Sequence, residues 1–117
     1  MKIEFNFLTI SVKDMDRAVE FYRKLFQKEP VTETERLVEF EFEGVKIGLH
    51  NPETDVTDRN IDFGNNCFPG FEVENLEKQK ERVSEFTVIE SEHEIQDHKW
   101  MNFKDSEGNL LEFYETT

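Results

Sequence analysis

The side chains in this sequence that could take part in covalent chemistry are few and widely spaced. Cys67 is the only cysteine, and a nucleophilic role would require a neighbouring base that the sequence does not identify, so a packed thiol is the favoured interpretation. His93 and His98 lie in a polar stretch before a predicted strand, where solvated histidines are expected. Glu112 could act as a general base, but no second catalytic group stands at a diagnostic spacing from it.

The elements that must position these groups begin with a strand and an amphipathic helix. Side chains alternate between apolar and polar from Glu4 to Val12, and this period of two predicts a strand. Asp14 is suited to cap a helix, and apolar residues then recur at helical spacing until Pro30, which prevents continuation. Strands at 37–42 and 45–50, preceded by a short β segment, complete a β-α-β-β-β order.

The second half of the chain repeats this order. A strand near 68–73 precedes a helix that opens at Asn75, and a β segment near 87–90 is followed by strands at 99–104 and 110–115. The second helix has few apolar anchors, so it is expected to be more exposed than the first.

The two halves are predicted to be modules of one domain. Module one covers about 1–50, module two covers about 67–117, and residues 51–66 read as a connector because they are rich in Asn, Asp and Thr. A chain of 117 residues with twelve Phe is long enough for one sizeable core and too short for two independent ones.

Internal similarity favours a duplication. An offset of 61 pairs Phe7 with Phe68, and an offset of 64 pairs Gly44 with Gly108. The alternative is chance similarity between two β-rich segments.

The charge balance narrows the classes of partner. Acidic side chains number 27 against 14 basic ones, for a formal net charge of −13, which repels a phosphate backbone or an anionic leaflet. Nucleic acid and membrane are therefore poor partners, and the charge either maintains solubility or attracts a cationic ligand. The lone cysteine and the lack of an apolar run over residues 1–12 favour a cytoplasmic protein.

Two motifs carry a resemblance to a known family. The segment from Val12 to Tyr22, V-K-D-M-D-R-A-V-E-F-Y, is similar to the opening of the glyoxalase/bleomycin-resistance/extradiol-dioxygenase superfamily, also called the vicinal oxygen chelate superfamily. The segment from Asp105 to Glu112, D-S-E-G-N-L-L-E, resembles the D-P-D-G-N-x-x-E that joins the last two strands in that superfamily. The likeness spans essentially the whole chain.

The resemblance implies an α+β fold in which two βαβββ modules form a half-open, barrel-like mixed sheet around a cavity, with helices on the convex side. Strand alternation then places one set of side chains toward the ligand. The predicted ligand-binding residues are Phe7, Thr9, His50, Phe68, Glu72, Trp100, Asn102, Glu112 and Tyr114.

The resemblance also implies where a divalent metal would be held, on the first, fourth, fifth and eighth strands. The matching residues are Phe7, Gly48, Phe68 and Glu112, and three of these four cannot coordinate an ion. No metal and no cofactor are therefore expected, although a displaced metal site could use His50, or His93 or His98 folded over the cavity, together with Glu112.

Two classes of function stay open. An aromatic-lined, acidic cavity favours a metal-independent small-molecule binder of the bleomycin-resistance type, which implies sequestration of an antibiotic or toxin. The alternative is a lyase or dioxygenase-like enzyme with a displaced metal or an acid/base site at Glu112. The resemblance also implies a homodimer.

Overall fold

The computed structural model describes residues 2–52 and 61–116. These residues contain eight strands, which form two four-stranded sheets, and two helices, one for each sheet. The chain divides between Phe63 and Gly64 into two compact units. Most of the predicted connector, residues 53–60, lies outside the described residues.

The first unit has the predicted β-α-β-β-β order. Its sheet has the strand order β1-β4-β3-β2, in which β1 runs parallel to β4 and the other pairs are antiparallel. The elements are β1 (Phe7–Ser11), α1 (Met15–Phe26), β2 (Thr32–Glu33), β3 (Leu37–Phe42) and β4 (Val45–His50).

Each end of helix α1 has a capping residue, Asp14 at the start and Gln27 at the end. The Asp14 carboxylate accepts a hydrogen bond from the Arg17 amide at 3.1 Å, which satisfies one of the free N–H groups of the first turn. Gln27 adopts a left-handed conformation with φ of 54° and ends the helix. The buried face of α1 is made of Ala18, Val19, Phe21, Tyr22 and Leu25.

One face of the first sheet packs against α1. The Phe26 ring lies 5.3 Å from the Phe40 ring and 4.8 Å from the Phe42 ring, centroid to centroid. Strand register places Ile10 and Leu49 on this same face, and both are fully buried. We call the opposite face of each sheet its non-helical face. In the first unit it carries Phe7, Thr9, Ser11, Leu37, Glu39, Glu41, Lys46, Gly48 and His50.

The second unit repeats the topology, with strand order β5-β8-β7-β6 and one parallel pair, β5 with β8. Its elements are β5 (Gly70–Glu72), α2 (Leu76–Val83), β6 (Ile89–Ile95), β7 (His98–Lys104) and β8 (Leu110–Thr116). The duplication predicted from the two offsets is therefore matched by two sheets of equal strand order.

Helix α2 is held by polar contacts more than by apolar burial. Val83 is its only buried residue, whereas α1 buries five, so the prediction of a more exposed second helix is confirmed. The Leu76 amide donates to Glu115 Oε1 at 2.8 Å, and Lys80 pairs with Glu92 at 2.9 Å. Both carboxylates come from the sheet, so these contacts identify its helix-packed face.

The loop that joins β7 to β8 is built around a buried carboxylate. Asp105 is 6% exposed, and its Oδ1 accepts from the amides of Glu107 and Asn109, each at 2.8 Å. Asn109 Oδ1 in turn accepts from the Asn66 side-chain amide at 3.2 Å, in the segment that leads to β5. The D-S-E-G-N motif therefore fixes both its own turn and the approach to β5.

Several predicted boundaries differ from the structure. Strand β1 begins at Phe7, later than the predicted start at Glu4. Strand β5 begins at Gly70, so Phe68 precedes it. Strand β6 continues to Ile95, and β7 begins at His98 after a turn in which Gln96 has a φ of 55°. Within the described residues, no helix is both long and apolar enough to cross a membrane.

Candidate functional site

The non-helical face of the second sheet gathers most of the predicted binding residues of that unit into two adjacent rows. One row runs across the strands through Glu72, Tyr114, Trp100 and His93. The next row runs through Gly70, Glu112, Asn102 and Ser91. Side chains two residues apart on a strand stand about 6.5–7 Å apart, so the rows are close enough for one ligand to contact both.

An aromatic ladder is formed by His93, Trp100 and Tyr114 of the first row and by His98, two residues before Trp100 on β7. The His93 imidazole stacks on the Trp100 indole with centroids 5.1 Å apart and an interplanar angle of 25°. His98 lies 5.2 Å from Trp100 on the strand that they share, and 5.8 Å from Tyr114. Four neighbouring rings on one sheet face form a surface on which a further planar ring can stack.

The prediction that His93 and His98 lie before a strand is wrong, although His93 is exposed, as expected of a solvated histidine. His93 is in β6 and His98 is in β7, and both contact Trp100. The sequence marks this hairpin only weakly, because the Gln96-Asp97 turn contains no glycine and the residues before it are polar on both faces of the strand. Sequence reasoning therefore missed two members of the aromatic ladder.

Glu112 lies in the second row with its carboxylate over a glycine. A Cβ placed on Gly70 would stand 3.4 Å from Glu112 Oε2. The carboxylate therefore leans toward β5, where the missing side chain leaves room for it. Asn102, on the other side of Glu112, is 9% exposed, and its Oδ1 accepts from the Ser91 hydroxyl at 3.1 Å.

The corresponding row of the first unit contains Thr9, Gly48 and Glu39. Here the glycine is on the strand that matches β8, and a phenyl ring covers it. A Cβ on Gly48 would stand 2.7 Å from Phe7 Cζ, so the Phe7 ring lies on the non-helical face, as predicted. His50 lies on the same face, two residues beyond Gly48.

These residues do not fit the metal site that the family resemblance implies. The space above Gly48 is taken by the Phe7 ring, and a phenyl ring offers no donor atom to an ion. Phe68, the implied ligand position in the second unit, is also a phenyl ring, and its side chain is 59% exposed. Among the residues that the structure describes, no three His, Cys, Asp or Glu side chains lie close enough together to hold a metal ion.

An acidic groove of about 480 Å³ borders the aromatic ladder in the second unit. It lies beside the start of α2 and is lined by His93 and Trp100, by five glutamates and by two lysines. Its glutamates are Glu74, Glu77, Glu92, Glu94 and Glu115. Since Glu92 pairs with Lys80, the remaining acidic excess favours a positively charged group next to Trp100.

Cys67 does not have the properties of a nucleophile. Its thiol is half-buried, and burial, together with the nearby Asp105 carboxylate, raises its pKa to about 11. The thiol is therefore protonated at neutral pH, which matches the prediction of a packed cysteine.

Phe7, Thr9 and His50 lie on the non-helical face of the first sheet. Glu72, Trp100, Asn102, Glu112 and Tyr114 lie together on that of the second. Phe68 falls just before β5 and is the one predicted binding residue outside a strand.

Comparison with known proteins gives one family and many similar folds. Residues 4–113 match the family model for the Glyoxalase/Bleomycin resistance protein/Dioxygenase superfamily. No curated protein sequence matches the chain.

Three solved structures illustrate the likeness in fold. A lactoylglutathione lyase from Agrobacterium tumefaciens has a TM-score of 0.83 at 21% identity, and the alignment covers 98% of this chain and 95% of that one. An integron cassette protein from Vibrio cholerae has a TM-score of 0.81 at 22% identity, over 100% and 98% of the two chains. A glyoxalase/bleomycin resistance protein from Catenulispora acidiphila has a TM-score of 0.75 at 20% identity, over 98% and 100%.

Proposed function

The chain belongs to the Glyoxalase/Bleomycin resistance protein/Dioxygenase superfamily, and we propose that it binds a planar, cationic aromatic small molecule without a metal ion. The binding surface is the non-helical face of the second sheet, and binding leaves the ligand chemically unchanged. Such a protein would sequester an antibiotic or toxin of this chemistry in the cytoplasm.

The aromatic ladder is the observation that carries this proposal. Trp100 contacts two imidazoles, and His98 links it to Tyr114, so the ligand meets a continuous surface of rings. Aromatic rings attract both planar rings and cations, and Trp is the strongest of the side chains for the latter.

The charges around the ladder favour a cation over an anion. The Glu112 carboxylate lies one row away on the same face. Trp100 and His93 also line the acidic groove, whose sheet glutamates lie on the helix-packed face. A formal net charge of −13 adds a long-range attraction for cations that salt would weaken.

Independence from metal follows from the residue types. Phe7, Gly48 and Phe68 have no donor atoms in their side chains, and a lone carboxylate such as Glu112 is too few ligands for a divalent ion.

The test uses N-methylquinolinium, a planar aromatic cation, and isothermal titration calorimetry. Wild-type protein is expected to bind it saturably, and Trp100→Ala is expected to weaken binding by about tenfold or more, since loss of a stacking partner is worth about 1–3 kcal/mol. Val88→Ala is the control, because Val88 is an exposed apolar residue of the same unit outside the ladder. Equal binding by Trp100→Ala and wild type would contradict the proposal.

The same samples test the alternative of an enzyme. Glu112 is half-buried beside the ladder and is the group that would serve as a general acid or base. Thioester absorbance after incubation with a hemithioacetal, and mass spectrometry after incubation with a catechol, are each expected to show no product. Turnover that Glu112→Gln abolishes would replace the binding function with a lyase or dioxygenase-like one.

We also propose a homodimer. Ile3 and Phe5 are 84% and 71% exposed, and apolar side chains at this level of exposure are often covered by a second copy. Light scattering coupled to size exclusion should give twice the chain mass, and Phe5→Asp should shift it to the monomer. A wild-type monomer at all concentrations would contradict the dimer.

A further inference from the structure

The side-chain amide of Asn102 has a buried donor without a partner. Its Oδ1 is occupied by the Ser91 hydroxyl, whereas Nδ2 is fully buried and has no acceptor anywhere in the described residues. Asn102 itself is 9% exposed. Buried amide donors in folded proteins nearly always have an acceptor, so Nδ2 is expected to donate to an acceptor on a group outside the described residues.

Glu112 is the residue directly opposite Asn102 in the register between β7 and β8. Opposite residues have Cβ atoms about 4.5–5.5 Å apart. The Glu112 carboxylate leans toward Gly70, on the side away from Asn102, so the two groups do not satisfy each other. The face therefore presents an amide donor beside a carboxylate, which in its ionised form can only accept.

The donor and the acceptor stand one row from the aromatic ladder. Trp100 precedes Asn102 by two residues on β7, and Tyr114 follows Glu112 by two residues on β8. A planar ring stacked on Trp100 would therefore direct one of its edges at the Asn102–Glu112 pair.

We propose that Asn102 and Glu112 recognise the edge of a lactam or carboxamide on the aromatic ligand. Asn102 Nδ2 donates a hydrogen bond to the carbonyl oxygen, and the Glu112 carboxylate accepts one from the adjacent N–H. This assignment rests on the proposed binding function and adds the polar group by which the ligand is selected.

The experiment compares two neutral probes with the cationic one. Quinolin-2(1H)-one has the carbonyl and the N–H side by side, 1-methylquinolin-2-one lacks the N–H, and N-methylquinolinium lacks both. Wild type is expected to bind the first about tenfold more tightly than the second, which is the scale of one buried hydrogen bond to a charged group.

Asn102→Asp replaces the donor by an acceptor of the same shape. The substitution is expected to lower the affinity for quinolin-2(1H)-one by about tenfold and to leave N-methylquinolinium at least as tightly bound. Asn65→Asp, at an exposed loop position of the same unit, adds the same charge and is expected to change neither affinity.

The outcomes separate the two proposals. Equal affinity for the two quinolinones, or equal weakening of all probes by Asn102→Asp, overturns this inference and leaves the cation-binding face standing. Failure of wild type to bind any probe overturns both.

Wild-type protein supplies a second readout that does not require the variant to fold. The Asn102 side-chain amide should show the proton chemical shift of an unpaired N–H in a ¹⁵N spectrum, and quinolin-2(1H)-one should move it downfield. An unchanged amide resonance at saturation would also overturn the inference.

Discussion

Corresponding rows on the non-helical faces of the two sheets carry different side chains. In the first unit the row Thr9–Gly48–Glu39 has its glycine on β4, and the Phe7 ring covers it. In the second unit the row Gly70–Glu112–Asn102 has its glycine on β5, and the Glu112 carboxylate leans over it. The glycine therefore lies on different strands of the repeated order in the two units, and a phenyl ring covers it in the first unit whereas a carboxylate covers it in the second.

The helix-packed faces differ as well. The first unit buries five side chains of α1, whereas the second unit buries one side chain of α2 and holds that helix through Glu115 and Glu92. The two units share one strand order. The larger apolar contact between helix and sheet is in the first unit, whereas the polar contacts that hold the helix are in the second.

The largest expected effect separates the two helices. Leu25→Ala should lower the free energy of unfolding by about 2–5 kcal/mol, because Leu25 is 2% exposed and its loss leaves a cavity. Leu76→Ala, the same change in the half-buried first turn of α2, should lower it by about 1 kcal/mol. Urea unfolding followed by circular dichroism measures both. Equal losses would show that the two helices contribute alike.

The second effect concerns matching positions before the last strand of each unit, Asp105 in the loop after β7 and Glu41 near the end of β3. Asp105→Ala should lower the free energy of unfolding by about 2 kcal/mol, because the amides of Glu107 and Asn109 would lose their acceptor. Glu41→Ala, 64 positions earlier, is the control, since its side chain is exposed. The same urea titration applies, and a comparable loss in Glu41→Ala would remove the special role of the Asp105 turn.

The third effect compares the two glycines. Gly48→Ala should lower the free energy of unfolding by about 1 kcal/mol, because the new Cβ would meet Phe7 Cζ, the far end of a side chain that is 39% exposed and can turn aside. Gly70→Ala should be tolerated, since its Cβ would stand in ordinary contact with the Glu112 carboxylate. Adding Phe7→Ala to Gly48→Ala should restore part of the loss. Without such rescue, the Phe7 ring does not account for the glycine.

The smallest effect follows from the thiol of the second unit. Since the pKa of Cys67 is raised to about 11 in the folded protein, the unfolded state loses its proton first as the pH rises above about 9. The contribution of the protonated Cys67 thiol to the free energy of unfolding is fully present below the pKa of the unfolded thiol, and it is lost as the pH rises from about 9 to about 11. Cys67→Ser should remove that part of the decline in thermal stability. An identical decline in the variant would place its cause elsewhere.

Much of the fold could be predicted from the sequence because local signals agreed with it. Strands β3 and β4 and the Asp14 and Asn75 caps occur where alternation and capping chemistry place them. The end of β6 was missed because His93 and Glu94 are polar on both faces, so alternation gives no signal there. The Gln96-Asp97 turn was likewise unmarked, because its left-handed residue is a glutamine and not a glycine.

The candidate site could be predicted only in part. Alternation placed Trp100, Glu112 and Tyr114 on one face, since register is set by a buried opposite face. The stacking of His93 and His98 on Trp100 and the unpaired amide of Asn102 depend on side-chain conformation across three strands, which no local pattern contains.

The central claim, that the second unit's face binds a cationic aromatic molecule through its carboxylate and rings, is tested most directly by the fluorescence of Trp100. It is the only tryptophan, so quenching by N-methylquinolinium reports on this face alone. Saturable quenching is expected in wild type, with about tenfold weaker binding in Glu112→Gln and unchanged binding in Glu39→Gln, which removes the carboxylate of the matching row in the first unit. Quenching that does not saturate, or equal weakening by the two variants, would contradict it.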